Sequence, residues 1–290
     1  MNILMTGVTG YLGSRIASRC CSDGHQVVAL KRKTSSLEKV KNIEKDLVFF
    51  DVEDIDYSWL FSKFHFDLVL HCSTCYGHNK ESISEMLESN IVFPTKILDA
   101  AINAKVPFFI NTDTAISSDV NAYALSKKQF RNWGIHYSDN KEITFINIIL
   151  EHFYGPFDSD VKFLTRTIHK MQSNVSPLEF TDGWQCRDFI YIEDVIEAYM
   201  IIFKHLSEME NIYFKDIDVG SGRAIPIREL VKLSKQLTKS SSEITFGSLP
   251  YRNNEVMFSC ADISFLLKEG WRPTVKLQEG INKIINEEKI

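Results

Sequence analysis

Thr6-Gly7-Val8-Thr9-Gly10-Tyr11-Leu12-Gly13, reached directly after the β-rich run Asn2 to Thr6, decides the fold of this chain. Glycine at a strand-to-helix turn permits tight backbone conformations and lets a phosphate approach the main chain closely. Apolar residues then recur at three and four along Tyr11 to Ser22, which predicts a helix with its N-terminus at that turn. Gly7, Gly10 and Gly13, with Thr9, Tyr11 and Leu12 among them, therefore read as a cradle for a dinucleotide pyrophosphate.

Further β-rich runs follow at Gln26 to Leu30, Leu47 to Phe50, Asp67 to His71, Val106 to Asn111 and Ile143 to Leu150, with helical patterns such as Ile91 to Ala104 between them. Strand and helix in alternation predict an α/β fold, a Rossmann doubly wound parallel sheet covered by helices on both faces. In such a sheet ligands bind beyond the carboxyl ends of the strands, so the residues just after each strand carry the function. From Glu151 the rhythm changes to helices (Val161 to Gln172, Glu193 to His205, Pro226 to Lys239) mixed with short β pieces such as Ile244 to Phe246. This divides the chain into a cofactor-binding domain at 1–150 and a smaller α/β substrate domain at 151–290, with the chain free to cross back between them.

A net charge of −5 with no long basic run lacks the electrostatic footprint of a nucleic-acid binder, which leaves a small molecule as the expected partner. No apolar stretch reaches the roughly eighteen residues needed to cross a membrane, and no signal-peptide pattern opens the sequence, so a cytoplasmic location is expected. Six dispersed cysteines do not form a disulfide framework. Cys72 and Cys75 make a C-x-x-C, but with no second ligand pair at zinc spacing they read as thiols beside a cofactor pocket, and no metal is expected.

The end of the second strand selects the dinucleotide. NAD sites place a carboxylate there for the ribose hydroxyls, and NADP sites place cations for the 2′-phosphate. Here Leu30 is followed by Lys31-Arg32-Lys33, so NADP(H) is expected, with Lys31 and Arg32 as the clamp. After the third strand, Asp51-Val52 stands where a carboxylate meets the adenine amino group, an exposed loop acid being the alternative.

Tyr123-Ala-Leu-Ser-Lys127 places a phenol and an ammonium on one helical face, and a lysine cation beside a tyrosine favours phenolate and proton transfer to a forming alkoxide. Asn111-Thr112-Asp113 closes the preceding strand, where the Thr112 hydroxyl would pair with Tyr123 as a donor to a substrate carbonyl. Asp113 reads either as a partner for a sugar hydroxyl or as an Asx-type turn residue.

The glycine turn, Asn111-Thr112-Asp113 and Tyr123-x-x-x-Lys127 together resemble the extended short-chain dehydrogenases of the sugar-nucleotide branch. The likeness continues through His71 to His78, Asn90 to Ala101, Leu150 to Pro156, Gln185 to Asp194 and Arg252 to Ser259. It is nearest to the NADPH-dependent 4-reductases of CDP-linked 4-keto-3,6-dideoxyhexoses, enzymes of deoxysugar and O-antigen biosynthesis. The resemblance implies that Thr112, Tyr123 and Lys127 are catalytic and that His71, Ser73 and Asn90 join the cofactor residues. It implies a nucleotide-linked 4-keto sugar bound by Tyr76, His78, Thr112, Asp113, Glu151, His152, Arg187 and Arg252, with Arg187 on the diphosphate, and a homodimer through the helices of residues 91–104 and 122–139.

Two departures stand out. Only ten residues separate Thr112 from Tyr123, which trims the loop over the sugar, and Ile149 stands where many relatives carry arginine. A 4,6-dehydratase or an epimerase holding NAD is the rival reading. Dehydratases, however, follow the Thr-Asp pair with a glutamate base, and this chain has Thr114. A dinucleotide-sensing protein without turnover would be marked by a broken Tyr/Lys pair, and here the pair is intact.

Overall fold

The computed structural model describes residues 1–78, 80–209 and 212–289. Two compact units emerge, Met1–Ile149 with Tyr199–Ile217, and Leu150–Ala198 with Asp218–Ile290. In chain order the first unit opens with β1 (Asn2–Thr6), α1 (Tyr11–Ser22), β2 (Gln26–Lys31), β3 (Leu47–Asp51), α2 (Tyr57–Lys63) and β4 (Leu68–His71). It continues with α3 (Ile83–Leu87), α4 (Phe93–Asn103), β5 (Phe108–Thr114), α5 (Ala122–Asp139) and β6 (Thr144–Leu150).

The second unit contributes β7 (His152–Tyr154), α6 (Phe163–Gln172), β8 (Leu178–Phe180) and β9 (Cys186–Tyr191). The helix α7 (Ile192–Lys204) and the strand β10 (Phe214–Val219) each run through a boundary between the units. After them come β11 (Ala224–Pro226), α8 (Ile227–Thr238), β12 (Ile244–Phe246), α9 (Ser264–Lys268) and α10 (Leu277–Glu287).

The first unit is built on a seven-stranded sheet in the order β10-β6-β5-β4-β1-β2-β3. The expected Rossmann α/β fold is thereby seen: β3, β2, β1, β4 and β5 pair in parallel, and the chain reverses direction across the sheet between β1 and β4. That switch point leaves a crevice at the carboxyl ends of β1 and β4. One face of the sheet is apolar at Leu4, Val28, Val69, Phe109 and Phe145 and is covered by Leu60, Ile97, Leu98 and Phe130 from α2, α4 and α5. Phe109 and Phe145 stack at 5.3 Å between centroids. Gly134 lets α5 lie close to them, since a Cβ there would come within 2.4 Å of the Phe145 ring.

Two elements differ from the sequence expectation. β5 runs on to Thr114 instead of ending at Asn111, because the polar side chains of Asn111 and Asp113 find partners on the α5 face of the sheet. Ahead of α4, a π-helical turn spans Glu88–Val92 and turns Asn90 inward, a local widening that often marks functional sites.

In the second unit a three-stranded sheet, β11-β9-β7, and a two-stranded one, β12-β8, stand with α6, α8 and α10. Asp194, in the first turn of α7, ties down the C-terminal segment of this unit. Its carboxylate accepts from Thr274 N at 2.9 Å, Thr274 Oγ1 at 2.8 Å and Val275 N at 3.0 Å. The Asp194 carbonyl accepts from Trp271 Nε1 at 3.0 Å. Replacing Asp194 with alanine removes all three of these part-buried hydrogen bonds, so Asp194→Ala should cost about 2 kcal/mol, read as a lower denaturant midpoint.

Candidate active site

The glycine turn is shaped by contact as well as conformation. Gly7 has φ +72°, and a Cβ on it would fall 2.6 Å from Ser73 N. One on Gly13 would fall 2.1 Å from Gly7 O, so neither position accepts a side chain. Gly10 caps α1 without a side-chain hydrogen bond and donates its own N–H to Gly7 O at 2.9 Å. The first amides of α1, at Tyr11 and Leu12, thus face outward at a positive helix end, which fits a pyrophosphate. Thr9 lies half-buried in the turn, and Ser73 N donates to Thr6 Oγ1 at 3.2 Å.

At the end of β2 the clamp is smaller than the sequence implies. Lys31 and Asp51 are register partners and form an ion pair, while Lys33 pairs with Asp54 at 2.8 Å and its backbone N–H meets Glu53. Among the described residues no ion pair engages Arg32, whose backbone N–H donates to Ser35 Oγ at 3.3 Å. The parallel pairing brings Asp51 of β3 beside Lys31 of β2, a contact that a separation of 20 residues concealed. Val52 follows β3, its N–H donating to Lys31 O at 2.9 Å.

Tyr123 and Lys127 lie on the first turns of α5, which Asn121 caps by accepting from Ala124 N at 2.8 Å. Lys127 is 1% exposed and has no hydrogen-bond partner among the described residues. Burial pushes its ammonium down to about 8, against the opposing pull of Asp113 and Cys72. The Tyr123 ring meets Tyr76 at 4.9 Å, and Tyr76 stacks on His78 at 5.7 Å. Burial pushes the Tyr123 phenol well up, Tyr76 and Asp113 push it further, and the hydroxyls of Thr114 and Thr74 draw it back. A phenolate sustained by Lys127 alone is therefore not what the protein holds.

Several expected site residues have partners within the protein. The Thr112 hydroxyl lies 2.8 Å from Tyr199 Oη and 3.3 Å from Cys72 Sγ, while the hydroxyls acting on Tyr123 are those of Thr114 and Thr74. Asp113 is not placed for a sugar: its side chain is fully buried, accepts from Lys128 Nζ at 3.0 Å and Asn147 Nδ2 at 3.1 Å, and takes the Thr114 N–H at 2.7 Å. Strand alternation sends Asn111 and Asp113 to the α5 face and Thr112 and Thr114 to the other.

His71 leaves one ring nitrogen, Nε2, without a hydrogen-bond partner among the described residues. Its ring is fully buried among Phe93, Phe109 and Phe130, with Nδ1 2.8 Å from Thr6 Oγ1, and burial beside Lys127 holds it well below the usual histidine range. Asn90 spends its whole amide inside the protein. It accepts from Cys75 N at 2.7 Å and Thr74 Oγ1 at 3.3 Å, and it donates to Cys75 O and Ser126 Oγ, both at 2.9 Å. Since Ser126 donates to Tyr123 O at 2.7 Å, Asn90 braces the segment carrying Thr74 and Tyr76 against α5. The cysteines are free, with burial pushing Cys72 up to about 11 and Cys75 upward too.

In the second unit Glu151 is buried, accepts from Ser259 Oγ at 2.6 Å and has His152 Nδ1 at 3.4 Å. The His152 ring rests 5.5 Å from that of Phe189. Arg187 is held by Cys186 O at 2.8 Å and by an ion pair with Glu255. Arg252 is exposed and, among the described residues, in no ion pair. Thr74, Thr114, Ser126, Lys128, Asn147 and Tyr199 carry no role in the sequence reading. The alternation of Thr112 with Thr114 is the one signal that would have found any of them.

The Rossmann sheet, the glycine cradle and the Tyr123/Lys127 pair define a dinucleotide-dependent enzyme of the extended short-chain dehydrogenase class. The NAD dependent epimerase/dehydratase family matches residues 3–220, and the chain belongs to it. It is 33% identical to the CDP-abequose synthase of Salmonella muenchen over 291 residues, 98% of this chain and 97% of that protein. Among solved structures it resembles the UDP-glucose 4-epimerase of Thermotoga maritima with UDP-glucose (TM-score 0.83, 21% identity, 99% of this chain and 98% of that one). It also resembles the UDP-glucuronic acid 4-epimerase of Bacillus cereus with UDP-glucuronic acid and NAD (TM-score 0.82, 23% identity, 99% and 98%). At such identities these structures speak for the fold alone. No helix among the described residues is long and apolar enough to cross a membrane.

The lowered Lys127 ammonium carries a stability cost. Its proton is held less tightly in the folded chain than in the unfolded one, so the cost is full below pH 8 and fades as pH rises toward the free lysine value of about 10.4. Lys127→Met should therefore raise the melting temperature of the ligand-free protein at pH 7, with a smaller gain at pH 10.

Proposed function

We propose that this enzyme is an NADP(H)-dependent 4-ketoreductase of a nucleotide-linked 4-keto-6-deoxy or 3,6-dideoxy hexose, similar to CDP-abequose synthase or acting on a dTDP-linked sugar. The first unit takes the dinucleotide and the second the nucleotide sugar. The observation that carries the reading is the surroundings of Tyr123. The carboxylate acting on it, Asp113, is committed to Lys128 and Asn147, and Thr114 stands where a dehydratase needs an acid/base carboxylate. Proton donation by a phenol, without carboxylate chemistry at C5 or C6 of a sugar, is what this pocket supports.

The nicotinamide, when bound, supplies a hydride to the sugar C4. Tyr123 gives its phenolic proton to the C4 oxygen, and Thr112 hydrogen-bonds that oxygen. Lys127 holds the nicotinamide ribose and offsets the charge left on Tyr123. Gly7, Gly10, Gly13 and the amides of Tyr11 and Leu12 hold the pyrophosphate, and Arg32 takes the 2′-phosphate. Arg187, freed from Glu255 or shared with it, and Arg252 take the sugar-nucleotide diphosphate, with Tyr76, His78, Glu151 and His152 along the sugar.

An epimerase with bound NAD is the second reading. The neutralisation of Lys31 by Asp51 and of Lys33 by Asp54 favours it, because it leaves one cation for a 2′-phosphate. Arg32→Ala is therefore expected to raise KM for NADPH by about ten-fold or more and to leave that for NADH nearly unchanged. Equal effects on both cofactors would remove the phosphate contact. A homodimer through residues 91–104 and 122–139 fits the exposed Leu125 (45%) and Trp133 (44%) on α5, and sizing in solution checks it.

The deciding assay follows NADPH oxidation with CDP- and dTDP-linked 4-keto-6-deoxy sugars, with and without the C3 hydroxyl. Consumption of one of them is expected, and Tyr123→Phe should lower kcat by about 10² or more with NADPH binding retained. Interconversion of C4 epimers without net NADPH consumption would establish the epimerase instead.

A further inference from the structure

Tyr199 is, among the described residues, the largest fully buried side chain to carry a hydroxyl, and it comes from α7, well outside every motif of the reaction. Its Oη has one partner among the described residues, Thr112 Oγ1 at 2.8 Å. Its ring meets that of Phe203 edge to face, 6.4 Å between centroids. On its other side Thr112 Oγ1 has Cys72 Sγ at 3.3 Å.

A threonine hydroxyl has one proton to give and two lone pairs to fill. A phenol is the stronger acid of a phenol–alcohol pair, so Tyr199 donates and Thr112 accepts. Sulfur is a weak acceptor, so Cys72 does not compete well for the proton of Thr112 and, as a thiol, can itself donate into the second lone pair. With its lone pairs turned toward Tyr199 and Cys72, Thr112 retains its own proton for an oxygen outside the pair. Orienting a donor ahead of the reaction avoids reorganisation when charge develops.

We propose that Tyr199 is a positioning residue that fixes Thr112 as a hydrogen-bond donor to the reacting carbonyl oxygen. This rests on the proposed function, in which that oxygen is the sugar C4 oxygen. Among carbonyl chemistries at this site the role is the same, because each places an oxygen before Thr112.

The test is a double-mutant cycle on the full chain. Tyr199→Phe should lower kcat about ten-fold, the scale of one oriented hydrogen bond, with little change in the KM for sugar and in NADPH binding. In a Thr112→Val background the same substitution should change kcat less than about two-fold, and in a Thr112→Ser background the ten-fold effect should return. A Tyr199→Phe enzyme within two-fold of wild type overturns the proposal, as does an equal loss in the Thr112→Val background, the mark of a purely structural role. Wild-type reductase activity keeps the two readings apart: where it is present, an unaffected Tyr199→Phe sinks the positioning role alone. Where wild type epimerises instead, the proposed function falls and the same cycle is read on epimerisation. Should Tyr199→Phe fail to fold, Cys72→Ala removes the other group at Thr112 Oγ1, and Thr112 reorients in it only if Tyr199 does not hold it. A Cys72→Ala kcat within about two-fold of wild type is expected, and a loss as large as that of Thr112→Val overturns the proposal.

Discussion

A lysine ammonium that is buried with no hydrogen-bond partner among the described residues is the constraint on which the site depends. Charge without solvent is costly, and Lys127 meets that cost by holding its proton weakly rather than by pairing. The cations at its flank are paired: Lys128 is bound to Asp113, and Arg131 to Asp216 through Nε at 2.9 Å and a second contact. Asp113 thereby serves two lysines, one by contact and one through its field. What makes Lys127 different from Lys128 is that among the described residues no carboxylate bonds to it.

The chemistry is divided by the two faces of β5. Asn111 and Asp113 turn to the α5 face, where they stabilise the sheet and the electrostatics, and Thr112 and Thr114 turn to the face that offers hydroxyls. A register shift of one residue would exchange the two sets, placing carboxylate where a hydroxyl is needed. Thr114 is pinned for this purpose from three sides: Asp113 takes its N–H, Lys128 takes its carbonyl at 2.6 Å, and its Oγ1 accepts from Ile116 N at 3.2 Å.

The doubly wound parallel sheet was legible because alternating strand and helix patterns leave few arrangements, and the glycine turn was legible because its spacing reports a backbone constraint, seen here as the contacts of Gly7 and Gly13. The motif residues Tyr123 and Lys127 were legible for the same reason, a helical spacing. What the chain order hides is pairing across distance. Lys31 reads as a free cation until β3 sets Asp51 beside it, and Asp113 reads as a sugar contact until α5 supplies Lys128. Asn90 and His71 look like ligand groups in a motif, and only packing shows the Asn90 amide turned to Cys75 and Ser126 and the His71 Nδ1 turned to Thr6. Tyr199 carried no signal, since one tyrosine in an apolar helix is ordinary core until its partner is known.

The polar residues beneath α5 show why this half of the sheet is not simply apolar. Thr6, His71 and Asn111 are neighbours in register across β1, β4 and β5, and Asn147 on β6 then joins Asn111 at 2.7 Å and Asp216 at 2.8 Å. Burial would raise the Asp216 carboxyl, but Arg131 and Asn147 hold it below the usual range, so the far end of the row is fixed as an anion. Apolar residues in this row would pack at less cost, as they do one turn further down the strands at Leu4, Val69 and Phe109. The polar row lies at the carboxyl ends of the strands, directly under the helix that carries Tyr123 and Lys127. The sheet therefore gives up apolar burial along this row at its functional end, where a fixed field and fixed hydroxyls are worth more than packing.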